Sequence, residues 1–323
     1  MMTTSDQVLL ADIGGTNARF ALLQRGEIGP VQHFRVADFA TVTDALTAFF
    51  ARHAAGRPAA SAVLGVAGTV ENNRCVFTNS PWVVDGSELQ AKFGFAIAQL
   101  LNDFEAVSWS LPVLAPNDLH PVGGPRPAVS GAPMLAAGPG TGFGVGCFVP
   151  RKVAPIAIVT EAGHATLPAI SEREERVIDQ LRRRFGHVSI ERVLSGSGLE
   201  NLHQALAAVD GETAPARDAA EITQAALDGS SDLCRAALDM FCSLLGTVAG
   251  NLALTFCSEG GVFIAGGIVP RFADHLAASS FRTQFEHKGR FEGYLRKIPT
   301  SIIVRPDAGF VGLKAFFEQM RRD

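Results

Sequence analysis

VLLADIGGTNARFALL, residues Val8 to Leu23, is an apolar run broken by a Gly-Gly turn and followed by a second largely apolar run. That pattern predicts a strand, a tight turn and a strand. Adjacent glycines at Gly14 and Gly15 can take φ > 0 and turn their N–H groups outward with no Cβ in the way, which suits an anion. Thr16 and Asn17 add short polar side chains at the same tip. Asp12 ends the first strand, and its carboxylate would repel a phosphate bound there unless a cation stood between them. A nucleotide with Mg²⁺, held through water near Asp12 rather than by a dedicated protein cage, fits that arrangement. An ordinary Gly-Gly hairpin with Asp12 as a solvated turn residue fits this stretch equally well.

A second hairpin shifts the balance. Leu135 to Val149 reads LAAGPGTGFGVGCFV, again an apolar run, a Gly-rich turn and an apolar run. Setting Leu9 against Leu135 puts Asp12 opposite Gly138 and Gly14 opposite Gly140, so the second copy keeps the turn and drops the carboxylate. The chain therefore reads as a duplicated phosphate clamp, two Gly turns holding one polyphosphate between two lobes. The spacing is not the GxxxxGK[ST] of a P-loop, and no GxGxxG opens a helix after the first strand, which disfavours those two nucleotide folds.

A length of 323 residues allows two domains, each with its own core. With 47% hydrophobic and 19% charged residues the chain groups with well-packed proteins rather than disordered ones. A formal charge of −4 leaves no basic footprint for nucleic acid, and the short run Arg182 to Arg184 reads as the wet face of a helix. The N-terminal MMTTSDQVLLAD lacks a basic n-region and a full apolar h-region, and no long uninterrupted apolar window predicts a membrane span. Five scattered cysteines in apolar contexts suggest reduced core thiols and a cytoplasmic protein, and without CxxC or CxC pairs no structural zinc is expected.

Along the chain, Val31 to Asp38 offers a third strand, Thr41 to His53 a helix with Leu46, Phe49 and Phe50 on one face, and Ser61 to Gly68 a short buried strand. Extended structure follows over Thr69 to Thr78, then a helix over Gly86 to Phe93 and a strand over Ile97 to Leu101. Residues 112 to 133 are rich in proline and glycine and mark a domain crossing. Beyond the second hairpin come a strand at Ile156 to Thr160 and helices from Ser171, the longest over Ser230 to Phe256. A buried strand at Gly260 to Ile268, a strand at Ser301 to Val304 and an amphipathic helix at Phe310 to Arg322 complete the chain. The expected division is 1–112 plus 305–323 for a small α/β lobe and 113–304 for a larger lobe with added helices.

Asn102-Asp103 closes a strand just before the helical pattern EAVSWSLPVL. An Asp with the ordinary carboxylate pKa of about 3.9 is ionised at neutral pH and can orient and deprotonate an alcohol during phosphoryl transfer. At a helix start it can equally serve as an N-cap, a role Asp and Asn favour.

Further motifs bring in a resemblance. DIGGTNARFAL (12–22), TNSPW (78–82), NDFEAVS (102–108), GPGTGFGV (138–145), EAGH (161–164), GHVSIERVLSGSGLENL (186–202) and GGVFIAGGIVPRF (260–272) occur in one order along nearly the whole chain. In these the sequence resembles the bacterial glucokinase family, of the superfamily of sugar kinases, actin and heat-shock chaperone ATPases. The resemblance implies an α/β fold of two RNase-H-like lobes that close over ATP across a central cleft. It implies ATP- and Mg²⁺-dependent phosphorylation of D-glucose at the 6-hydroxyl, giving glucose 6-phosphate and ADP as the first step of glycolysis. A homodimer is also implied, while the charge and hydropathy above lead to no nucleic-acid or membrane partner.

Carried onto matching residues, it makes Asp103 the catalytic base, with Asn102, Glu161, His164 and Glu191 holding sugar hydroxyls and Asn79 nearby. Carboxylates and amides suit that work because each can accept from or donate to vicinal hydroxyls, so a site built from them rejects analogues lacking a hydroxyl. Asp12, Gly14, Gly15, Thr16 and Asn17 would face the phosphates and metal, Gly138, Gly140 and Thr141 would close from the other lobe, and Gly266 and Gly267 would leave flat space for the adenosine. The related ROK sugar kinases pair a similar ExGH with a Cys-rich zinc loop. That loop is missing here, so His164 reads as a sugar contact. Two other functions compete: a nucleotide-switched interaction protein on the same fold, which would not need the polar sugar set, and a ROK-type repressor, which would need a DNA-reading domain ahead of the first hairpin.

Overall fold

The computed structural model describes residues 7–54, 58–77, 80–124 and 126–322, so Asn79 lies outside the described residues. By its internal contacts the chain divides into two compact units, one of Met1–Val113 with Asp307–Asp323 and one of Leu114–Pro306.

In the first unit, strands β1 (Val8–Ile13), β2 (Asn17–Gln24), β3 (Glu27–Ile28), β4 (Gln32–Arg35), β5 (Ser61–Val66), β6 (Arg74–Val76), β7 (Val83–Asp85) and β8 (Ala98–Asn102) alternate with helices α1 (Val42–His53), α2 (Gly86–Phe93) and α3 (Asp103–Ser110). The main sheet runs β3-β2-β1-β5-β8, with β4 also on β2, while β6 and β7 form a separate hairpin. β1 is central and reads VLLADI because both of its faces are covered; Leu9, Leu10, Ala11 and Ile13 are fully buried. β1 runs antiparallel to β2 and parallel to β5, which is parallel to β8. Parallel neighbours need crossovers, and α1 and α2 supply them. α1 begins at a capping box between Thr41 and Asp44 and buries Ala45, Leu46, Phe49 and Phe50 against the sheet.

The second unit repeats that plan. Strands β9 (Leu119–Val122), β10 (Met134–Pro139), β11 (Phe143–Val149), β12 (Ile156–Thr160), β13 (Val262–Ile264) and β14 (Thr300–Ile303) form a sheet ordered β12-β11-β10-β13-β14-β9. β10 is antiparallel to β11 and parallel to β13, which is parallel to β14, the same relations that β1 has to β2, β5 and β8. Helices α4 (Glu172–Phe185), α5 (Gly196–Asp210), α6 (Ala219–Leu227) and α7 (Asp232–Phe256) are inserted before β13, and α8 (Ala273–Ala278), α9 (Phe281–Glu286) and α10 (Glu292–Leu295) after it. α11 (Ala308–Met320) belongs to the first unit and packs on α3.

α7 starts from the side chain of Ser231 and stops at Cys257, whose φ of 49° is left-handed. Its length and hydropathy would suffice to cross a membrane, yet 72% of its most apolar window is buried, as in a core helix. Gly246 and Gly250 let α9 approach: a Cβ on either would lie 2.1 Å from the Phe281 carbonyl oxygen or 2.5 Å from that of Phe285.

Several elements differ from expectation. The strand over Val31 to Asp38 is cut to Gln32–Arg35, and Val36–Asp38 turns into a 3-10 helix. The stretch from Thr69 folds back through a tight turn between Glu71 and Arg74 instead of staying extended. The proline-rich segment holds the edge strand β9, in which Pro121 is tolerated because a sheet edge needs no donor on its open side. The buried strand before Gly266 is only Val262–Ile264.

Four cysteines are buried, but Cys257 is exposed, which corrects the reading of all five as core thiols. Burial pushes the Cys147 thiol up to about 11 and the Cys242 thiol up to about 12. Titration of the native protein with a thiol reagent at pH 8 is therefore expected to show one fast-reacting group, lost in Cys257→Ser, and the rest only on unfolding.

Candidate active site

The parallel strands of the first unit bring its candidate residues into one row. Ile13 of β1 pairs in register with Val66 of β5, and Val66 with Asn102 of β8. The Gly14 turn and Asp103 thus leave the same edge of the sheet two strands apart, roughly 10 Å at ordinary strand spacing. The carboxyl ends of parallel strands are where open α/β sheets place their ligands.

At the hairpin tip, Gly14 N–H donates to Asn17 O at 2.9 Å and Val36 N–H to Thr16 O at 2.9 Å. Gly14 is not in the left-handed region, and a Cβ there would make only an ordinary 3.5 Å contact. The expectation of φ > 0 at this glycine is therefore wrong: the turn closes through the Gly14–Asn17 bond without it. What Gly14 offers is open space.

Asp12 is ion-paired with Arg19, directly opposite it in the β1–β2 register, and the side chains are 23% and 31% exposed. The Arg19 guanidinium also lies 5.6 Å from the centre of the Phe310 ring. Sequence reasoning missed Arg19, although a hairpin centred on Gly15 and Thr16 pairs residues 12 and 19. Arg19 fixes the orientation of the Asp12 carboxylate and offsets part of its charge.

The cap of α3 is Asn102, not Asp103. Asn102 Oδ1 accepts from Phe104 N–H at 2.9 Å and Glu105 N–H at 3.4 Å, and Glu105 returns a carboxylate to Asn102 N–H in a capping box. Asn102 Nδ2 donates to Gly68 O at 3.1 Å. Much of the Asn102 amide is thus engaged in holding the strand end and helix start. Asp103 is the first residue of the helix, with its own Oδ1 accepting from Phe104 N–H at 3.0 Å. Glu105 is pushed up by burial, against which its bond to Asn102 N–H acts.

In the second unit the Gly-rich turn is gripped from several sides. Gly196 N–H, opening α5, donates to Gly140 O at 3.1 Å, and Gly140 N–H donates to Gly142 O at 2.7 Å. A Cβ on Gly138 would fall 1.9 Å from Ala265 O, and one on Gly266, at φ 96°, 2.1 Å from Pro139 O. By contrast, a Cβ on Gly140 or Gly267 would meet nothing within 4 Å. Gly140, like Gly14, is outside the left-handed region. Thr141 stands exposed at the tip.

The expected sugar residues of this unit are tied to the same turn. Glu191 Oε2 accepts from Phe143 N–H at 2.9 Å, in the place a Gly142 side chain would need. Glu191 N–H donates to Gly163 O at 2.9 Å, so the EAGH turn and Glu191 move as one piece. Glu161 and His164 flank Gly163, with Glu161 Oε2 and His164 Nε2 3.8 Å apart and the side chains 68% and 64% exposed. Gly163 has no room for a side chain, because a Cβ would come 2.2 Å from Phe143 O. Gly142 and Gly163 were not singled out from sequence, since their reason lies in residues far along the chain.

Among the described residues there is no group of three His, Cys, Asp or Glu side chains placed to hold a metal ion.

Comparison with known proteins gives the family. The family model described as Glucokinase matches residues 9–320. A glucokinase of Paramagnetospirillum magneticum is 46% identical over 312 residues, covering 96% of this chain and 97% of that one. The solved glucokinase of an Antarctic psychrotroph superposes with a TM-score of 0.87 at 35% identity, over 97% of this chain and 99% of that one. A ROK family glucokinase from Streptomyces griseus, solved with glucose and AMPPNP, shares the fold with a TM-score of 0.63 at 18% identity, over 96% and 98% of the two chains. With a family model spanning nearly its whole length and a close relative matched end to end, the chain belongs to the glucokinase family.

Proposed function

We propose that Asp103 is the base in the reaction of this family. The chain phosphorylates D-glucose at the 6-hydroxyl with ATP, giving glucose 6-phosphate and ADP. The hydroxyl oxygen forms a bond to the γ-phosphorus, the bond from that phosphorus to the bridging oxygen of ADP breaks, and the hydroxyl proton passes to the Asp103 carboxylate. The observation that carries this reading is the register of β1, β5 and β8, which puts the Asp12 hairpin and Asp103 on one edge of one sheet.

In this reading Gly14, Gly15, Thr16 and Asn17 face the phosphates, as do Gly140 and Thr141, while Gly138 packs against the backbone of Ala265. Gly267, with open space above it, takes the adenosine beside Gly266, whose own role is to pack on Pro139. Mg²⁺ comes with the nucleotide. Such an ion keeps several waters and needs only one or two carboxylates, and Asp12 is a part-exposed carboxylate at the phosphate turn. The metal would neutralise charge on the phosphate oxygens, while Arg19 holds Asp12 in place. Asn102 meets the sugar with whatever capacity its cap leaves, and Glu161, His164 and Glu191 bind its other hydroxyls. The matching strand relations of the two sheets support reading each unit as an RNase-H-like lobe. Likeness to the family supports a cytoplasmic homodimer.

A coupled assay of ADP release with ATP, Mg²⁺ and a panel of hexoses tests the reading; glucose is expected to give the highest kcat/KM, and a protein inactive on every hexose would overturn it. For the sugar contacts, Glu161→Ala combined with His164→Ala should raise KM for glucose at least tenfold, about 1.4 kcal/mol. Both side chains are exposed, so the melting temperature should stay put. An unchanged glucose KM removes this pair from the sugar site.

A further inference from the structure

β8, which delivers Asn102 and Asp103, is the last strand of its sheet, and among the described residues no further strand pairs with its outer side. Gln99 Nε2 donates to Leu100 O there at 3.0 Å, and two further outward groups are held by a single side chain from another element. Asn73 Nδ2 donates to Ala98 O at 2.8 Å, and Leu100 N–H donates to Asn73 Oδ1 at 2.8 Å. In a parallel ladder a neighbouring residue gives its N–H to one carbonyl and accepts the N–H found two residues further on. The Asn73 carboxamide makes that same pair of bonds, so it stands in for one residue of a neighbouring strand.

The local backbone is shaped for this contact. Asn72 and Asn73, at φ 50° and 60°, are the central residues of a turn whose ends exchange bonds: Glu71 N–H to Arg74 O at 2.9 Å and Arg74 N–H to Glu71 O at 3.0 Å. Asn tolerates such left-handed positions better than most residues. Asn73 O accepts from Gly86 N–H at 3.0 Å, and a Cβ on Gly86 would come 2.1 Å from Asn73 Nδ2, so α2 begins bare where the amide passes.

From the turn the chain enters β6, whose Cys75 is 1% exposed. A Cβ on Gly68 would lie 2.9 Å from the Cys75 sulfur, and Gly68 O is the acceptor of Asn102 Nδ2. The Cys75 thiol is pushed up by burial first and by the charge of Asp103 second, as expected of near neighbours. The turn at Asn73 therefore touches the edge of the strand that leads to Asp103, and β6 reaches the end of that strand through Gly68.

We infer that Asn73 is a positioning residue for phosphoryl transfer: by holding the edge of β8 at Ala98 and Leu100 it fixes the strand end from which Asp103 meets the sugar hydroxyl. The inference rests on Asp103 as the base. Misplacement of a reacting group by a fraction of an ångström lowers the rate of the chemical step while leaving substrate binding in place.

The test uses Asn73→Gly, which deletes the carboxamide but suits a left-handed turn, and Asn73→Asp, which keeps the shape yet has no donor for Ala98 O. Each is measured well below its melting temperature, alone and combined with Asp103→Asn. Both single variants should lower kcat about tenfold with the calorimetric glucose Kd unchanged. In the Asp103→Asn background, Asn73→Gly should cost little more, because the group it positions is already inactive. Wild-type kcat in both Asn73 variants overturns the inference, as does a raised glucose Kd with kcat intact. An equal loss in both backgrounds also overturns it, by marking a general structural role. If Asp103→Asn alone keeps near wild-type kcat, the base reading itself has failed, an outcome separate from the others.

Discussion

Asp103→Asn is expected to lower kcat by roughly 10² to 10⁴ while leaving the glucose Kd within about tenfold, the usual worth of a general base. The substitution is close to isosteric, and the new amide oxygen can still accept the Phe104 N–H that Asp103 Oδ1 now takes at 3.0 Å. The cap of α3 is untouched because it belongs to Asn102 and Glu105. Loss of activity cannot then be assigned to a frayed helix. An amide can still hydrogen-bond the 6-hydroxyl, so ground-state binding persists, but it cannot take up the proton released as the O–P bond forms. The measurement is kcat and KM for glucose and for ATP, with a calorimetric glucose titration of the same preparation. A variant with near wild-type kcat would remove Asp103 from the chemistry and leave it as a first-turn helix residue.

The part of the site that sequence reveals is the part built from local pattern. Alternating apolar runs around glycine turns announce both hairpins, and the register of β1 with β2 and of β10 with β11 follows from them. The same register contains the Asp12–Arg19 pair, which was there to be read. So was the capping box, since Asn102 and Glu105 stand three apart at the start of an apolar helical pattern. Contacts between residues distant in the chain are another matter. Glu191 reaches Phe143 across 48 positions, and Asn73 reaches Ala98 and Leu100 across 25 and 27. No periodicity encodes such pairs, because they arise only when separate elements pack. The glycines show the limit most plainly. Gly14, Gly138, Gly140 and Gly266 look alike in sequence, yet Gly138 and Gly266 are needed for close backbone approach, Gly266 for a positive φ as well, and the other two leave room for a side chain.

That difference predicts opposite outcomes for the same chemical change. Valine at 138 would bring a Cβ to 1.9 Å from Ala265 O, where the obstacle is the backbone just past β13 and cannot swing aside. Valine at 266 meets Pro139 O at 2.1 Å and must also sit at φ 96°, which a β-branched residue strongly resists. Overpacking alone costs about 1–3 kcal/mol and a disallowed backbone a similar amount, so each variant should lose about 3 kcal/mol or more of stability and accumulate poorly. Gly140→Val and Gly14→Val should behave differently. Position 140 has nothing within 4 Å of a new Cβ and position 14 only an ordinary contact, and neither needs φ > 0, so both variants should fold with a denaturation midpoint near that of the wild type. Their side chains would instead fill the space proposed for the nucleotide phosphates, and ATP affinity should fall by tenfold or more with glucose binding still measurable. Urea denaturation and ATP titration of all four proteins separate the two classes. Unchanged ATP affinity in folded Gly14→Val or Gly140→Val would take that hairpin out of the phosphate site, and wild-type stability in Gly138→Val would show that β10 and β13 can part far enough to admit a side chain.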